Sequence, residues 1–214
     1  MANTPQVPVS VDAQIAPPGG WRNPGKVRVP PLQAHELSLP ARFGIRLVNR
    51  IGKLEASNLF MMMLRNFRLF RAWLGFAARL MPYGEIARRD TELIILRVGW
   101  NCRCRYEWGQ HVDIGLRTSL SEEDVRNVPL GAQSTTFEPR IQTLMQACDE
   151  FHSDRMISSA TWAALETFYD TRRLLEVVML IGHYEMLAGV LNSTGIALDE
   201  KLETVIAAAD IHRS

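Results

Sequence analysis

Cysteine is scarce in this chain, with three among 214 residues and two of them one residue apart. That is too few for the disulfide framework of a small secreted domain, and it points to reduced thiols in a cytoplasmic protein. An excess of either charge is also missing. The 24 basic and 23 acidic residues leave a net charge of +1, which gives no electrostatic footprint for nucleic acid or an anionic membrane. No apolar run is long enough to span a bilayer without a charge or a breaker, since the nearest, 174–190, contains Glu176, His183 and Glu185. The N-terminal stretch lacks the basic start and apolar run of a secretory signal. Strand alternation, hairpin turns and short-period repeats are absent as well. What remains is a soluble, cytoplasmic, all-α protein.

The first 40 residues are rich in Pro and Gly and read as an extended arm lying over the surface or over a neighbouring subunit. Beyond it, residues 41–214 read as one helical domain. A short amphipathic helix is expected over 41–53, and a longer one from a cap at Asn58 to near Pro82. Met61, Met62 and Met63 in that helix read as adaptable core filling, because thioether copper sites need a spaced motif. Residues 85–99 are apolar on most sides and read as a buried helix. Asn101 is expected to cap the next, running to about Leu116, and Ser121 to open a short acidic one. Further helices are expected at about 138–152, 158–169, 171–192 and 198–210.

The stretch NCRCRYEWGQH, residues 101–111, holds most of the chemistry. On a helix advancing about 100° per residue, Cys104, Glu107 and His111 fall within about 60° and form one stripe. Cys102 lies about 200° from Cys104, so the two thiols point apart and no disulfide between them is expected. Cys-x-Cys with one nearby histidine is also a poor zinc set, so no metal is expected there. With Asn101 as cap, Cys104 would sit in a first helical turn that favours a thiolate. His111 would exchange protons with Glu107 or act through a water. Each also has a plain alternative: Cys104 simply buried, and His111 a satisfied polar residue. Glu92, on the preceding helix returning antiparallel, needs a partner that Arg97 or His111 could supply, a structural arginine bridge being the bland reading. His183 and Tyr184 are two polar rings in a late apolar helix; they line the same pocket, or His183 is a core histidine bonded to a backbone carbonyl.

The segment RRDTELIILRVGWNCRCRYEWGQHVDIGLRTSLSEEDV resembles the core motif, here 85–128, of the carboxymuconolactone decarboxylase and alkyl hydroperoxidase D superfamily. That motif carries a Glu on one helix and Cys-x-x-Cys-x-x-x-His on the next. Glu92 takes the glutamate's place, Cys104 that of the first cysteine, Glu107 that of the second, and His111 that of the histidine. The flanks FRAWLGFAARLM and LLEVVMLIGHYEMLAGVLNSTGIAL resemble longer members, so the likeness covers about residues 55–200. YEWGQH resembles the branch in which YEW replaces the redox pair.

The resemblance implies a helical bundle with a central antiparallel helix pair and a homo-oligomer, from dimer to hexamer. With Glu107 in the resolving position, a local disulfide cycle cannot close. The first expectation is therefore cofactor-free acid–base chemistry on a small carboxylated or lactone-like substrate. Glu107 and His111 would supply the proton, Arg97 or Arg105 would orient the acid, and Tyr106 would be a further donor. The alternatives are a peroxidase-like thiol oxidoreductase using Cys104 with an external thiol, and a non-catalytic helical binding or assembly protein.

Overall fold

The computed structural model describes residues 15–37, 58–199 and Leu202. The helix expected at 41–53 lies outside these, as does the one at 198–210 apart from Leu198, Asp199 and Leu202. Among the described residues there is no strand. The α-helices are α1 (Asn58–Met63), α2 (Phe67–Leu80), α3 (Arg88–Asn101), α4 (Arg105–Thr118), α5 (Glu122–Asn127), α6 (Pro139–Asp154), α7 (Ser159–Leu165) and α8 (Thr171–Thr194).

Helix α3 is the axis of the fold. Its Leu93, Ile94, Ile95, Leu96 and Val98 are wholly buried, as expected of a helix apolar on nearly every side. Burying each such side chain is worth about 1.5–3 kcal/mol, so this helix supplies a substantial share of the apolar driving force. Helices α4, α6 and α8 surround it. Helix α4 returns antiparallel to α3: His111 meets Glu92, and Gly99 faces Glu107 and Trp108. A Cβ on Gly99 would lie 3.4 Å from the Trp108 amide nitrogen, so a small residue lets the two helices come close.

Two boundaries differ from the sequence expectation. The long helix from Asn58 is broken by a 3₁₀ turn, Leu64–Asn66, and Asn66 caps α2 by accepting from the Leu69 amide at 3.2 Å. An Asn side chain that can replace a backbone partner makes that break favourable. Asn101 is likewise not a cap. It ends α3 and its side-chain amide donates to Asp149 Oδ1 at 2.7 Å, while Cys104 occupies the cap position of α4. The link between the two turns on Arg103, whose φ of 56° is left-handed. Ser121 does cap α5, in a reciprocal capping box with Asp124.

Residues 15–37 lie over their own chain. The Arg22 amide donates to the Arg103 carbonyl at 2.8 Å and the Arg28 amide to the Thr194 carbonyl at 2.7 Å. Trp21 packs against Trp100 and Trp108 at ring distances of 5.8 and 5.9 Å. Helix α8 is long and apolar enough to cross a membrane by length and composition alone, but Val177, Leu180 and Ile181 are wholly buried in the core.

Candidate active site

The α3–α4 pair brings together the two groups that the sequence left unpaired. Glu92, wholly buried, places Oε2 2.7 Å from His111 Nδ1. Its other oxygen lies 2.7 Å from Nη2 of Arg88, one helical turn earlier. Arg97 takes no part. Its guanidinium grips Asp149 at 2.7 and 2.8 Å and the carbonyls of Val128 and Pro129. Arg88 is the residue that sequence reasoning missed, although its position four before Glu92 is the standard spacing for a helical ion pair.

Glu107 differs from the expectation. It does not bond to His111, and both its carboxyl oxygens are buried without a hydrogen-bond partner. Burial, with Glu185 nearby, holds its carboxyl well above the ordinary carboxylate range. An isolated carboxylate in so dry a place is costly, and the group keeps its proton instead. Glu92, with a cation on one oxygen and an imidazole on the other, has the compensation that Glu107 lacks.

Cys104 is 1 % exposed. Its thiol is pushed up, first by burial and then by Glu107, and the amides of Glu107 and Tyr106 at the start of α4 oppose this less strongly. The thiolate expected of a first-turn cysteine is therefore not favoured, because desolvation outweighs the helix dipole. All three cysteines are free, Cys102 and Cys104 included.

From α8, Tyr184 stands edge-on to His111 at 5.2 Å and to His183 at 5.2 Å. Burial, followed by Glu92 and Glu107, keeps its phenol protonated. His183 does not bond to a backbone carbonyl. It stacks on Trp73 at 6.0 Å, and its Nδ1 is buried without a hydrogen-bond partner. Burial lowers its pKa to about 4. Tyr184 thus touches the Glu92–His111 pair directly, and His183 is linked to it through Tyr184.

Tyr106 turns away. Its hydroxyl donates to Asp199 Oδ2 at 2.9 Å and accepts from the Leu59 amide at 3.0 Å. Together with Arg105 it lines a cavity of about 450 Å³ beneath residues 21–27. Glu92, Glu107 and His111 do not line that cavity.

The all-helical bundle that carries the buried Glu92–His111 pair is similar in fold to solved alkyl hydroperoxidase D-like structures. Residues 68–150, which contain Glu92, Cys104, Glu107 and His111, match the carboxymuconolactone decarboxylase family. Over that segment the chain is similar to this family, and its fold is similar to that of alkyl hydroperoxidase D-like proteins.

Among solved structures it is similar to a peroxidase-related protein from Silicibacter sp. TM1040, with 13% identity, a TM-score of 0.71 and coverage of 78% of this chain and 89% of that one. The alkylhydroperoxidase core of a peroxidase-related protein from Ralstonia eutropha JMP134 gives 16%, 0.72, 82% and 94%. The debrominase Bmp8 gives 14%, 0.73, 86% and 98%. These identities speak for the fold alone. The comparison with curated proteins finds no match.

Proposed function

We propose that the protein is an enzyme that moves protons on a small carboxylated or lactone-like substrate without an organic cofactor. The observation that carries this reading is the contrast between two acids one turn of chemistry apart. Glu107 is buried, unpartnered and held protonated, and Glu92 is paired with His111 and Arg88. A buried acid held protonated, beside a second acid bonded to an imidazole, suits the first as proton donor and the second as the group that orients a base.

In a decarboxylation of the kind the family name describes, the bond to the carboxyl carbon breaks and its electron pair passes into a conjugated enolate. Glu107 donates its proton to the carbon end of that enolate as carbon dioxide leaves. His111, its Nδ1 held by Glu92, then passes a proton from solvent back to Glu107. Tyr184, protonated and edge-on to His111, offers a hydrogen bond to the enolate oxygen. Arg88, partly open to solvent, is better placed than Arg97 to meet the substrate's carboxylate.

The test is turnover of a panel of unsaturated carboxylated lactones by the wild type, Glu107→Gln, His111→Ala and Cys104→Ser. Losing a general acid or base should lower kcat by about a hundredfold to ten-thousandfold, while Cys104→Ser keeps most of the activity. Full activity in Glu107→Gln would sink the reading.

A thiol-dependent reductive reaction is the second reading. The amides of Tyr106 and Glu107 at the Cys104 sulfur favour it, as do neighbours described as peroxidase-related. It predicts the reverse ranking, with Cys104→Ser inactive. Phe67, Leu69 and Phe76 on α2 are exposed apolar residues and support self-association of the chain as part of either reading.

A further inference from the structure

A second group of chemically capable side chains lies away from the Glu92–His111 pair, where the C-terminal end of α3 meets α6 and α8. Cys102 Sγ is 3.8 Å from His152 Nδ1, and His152 Nδ1 is 2.7 Å from Glu185 Oε1. One donor atom from each residue lies within 4.8 Å of the other two. We propose that Cys102, His152 and Glu185 form a binding site for a divalent transition metal of the zinc class.

Three observations support it. The first is spacing. Zinc bonds of about 2.3 Å to sulfur and about 2.0–2.1 Å to nitrogen or oxygen, at tetrahedral angles, put sulfur and nitrogen about 3.5 Å apart and nitrogen and oxygen about 3.3 Å apart. The sulfur–nitrogen pair already stands near that value. The nitrogen–oxygen pair is a hydrogen bond that must open by well under 1 Å, within reach of a side-chain rotation.

The second is support around the donors. Arg155 Nη1 holds Glu185 Oε2 at 2.7 Å, which leaves Oε1 for the cluster. The Asn192 side chain donates to the Cys102 carbonyl at 2.9 Å and fixes the backbone that carries the thiol. Partners of this kind orient ligands in metal sites.

The third is access. The His152 side chain is 37% exposed, so water can occupy a fourth position, as in zinc sites that keep one position open. The donor set of thiol, imidazole and carboxylate suits zinc, cobalt or nickel and not the oxygen-only preference of magnesium or calcium. On binding, the Cys102 thiol gives its proton to solvent and the cation balances the thiolate beside Glu185.

Sequence spacing could not show this site. Its residues lie 50 and 33 positions apart, and the pair that the sequence offered, Cys102 with Cys104, points in different directions.

The experiment is titration of the reduced full-length protein with Co²⁺, read by the thiolate-to-cobalt charge-transfer absorption, followed by displacement with Zn²⁺. One equivalent of Co²⁺ should develop the band, and Cys102→Ser should abolish it. Glu185→Gln and His152→Ala should each weaken binding by tenfold or more, with far-UV circular dichroism confirming that each variant is folded. Absence of the band in the wild type would overturn the proposal. So would a band that survives Cys102→Ser and disappears in Cys104→Ser, or cobalt binding indifferent to all three substitutions.

Discussion

Glu92 Oε2 lies 2.7 Å from His111 Nδ1 across the α3–α4 interface, and this bond takes His111 away from Glu107, its neighbour one turn back on the same helix. The two acids thereby acquire different jobs. Glu92 fixes the imidazole's orientation, and Glu107, left with no partner for either oxygen, stays a neutral acid.

Replacing Glu92 by alanine should remove the common partner of His111 and Arg88. Breaking a buried charged pair from one side costs about 3–5 kcal/mol. The lower end applies here because Arg88 is 29% exposed and can turn to water. The midpoint of urea unfolding should fall accordingly with an unchanged slope. A shift equivalent to less than about 1 kcal/mol would mean that the pair contributes little.

Glu107 should leave a mark on the pH dependence of stability. A carboxyl held above its ordinary 4.5 binds its proton more tightly when folded. The stability tied to it is full below pH 4.5 and is lost as pH rises through the folded value. Glu107→Gln, neutral at every pH, should therefore gain on the wild type between pH 5 and pH 8 in denaturant unfolding. A constant difference across that window would count against a protonated Glu107.

His183 carries the opposite sign. Its pKa falls from 6.5 to about 4 on burial, so the stability linked to it is full above pH 6.5 and is lost as pH drops through about 4. His183→Phe keeps a ring between Trp73, Phe76 and Tyr184, and it should flatten the acid limb of the stability curve. An unchanged acid limb would show that another group drives the loss.

The thiols should differ in reactivity. Cys104 and Cys148 are buried at 1% and 0% exposure, and Cys102 is partly exposed. In the native protein, alkylation followed by mass analysis should label Cys102 first and find no 102–104 disulfide. Rapid labelling of Cys104 would favour the thiol-dependent reading.

Much of this was legible in the sequence, and the failures have physical causes. The helical period and the apolar run through Leu93–Leu96 sufficed for the class of fold and for α3 as a buried helix. The shared face of Glu107 and His111 on α4 was legible from spacing, and Glu92 from being an acid in an apolar helix, whereas Cys104 stands outside the helix as its cap residue. Spacing along one helix could not say which acid would take His111, because that was decided across the α3–α4 interface. Arg97 was misread because its partner Asp149 lies 52 residues on. Tyr106 was drawn off by Asp199, 93 residues away. For the thiol of Cys104 the sequence left the helix dipole and simple burial both open, and burial proved the larger effect.

The central claim is that Glu107 is a protonated acid in the folded protein, and infrared difference spectroscopy tests it most directly. At neutral pH the wild type minus Glu107→Gln spectrum should contain the carbonyl stretch of a protonated carboxylic acid, with the small deuterium shift such a group shows. A difference spectrum with only carboxylate bands would contradict the account, because Glu107 would then be ionised and could not donate the proton assigned to it.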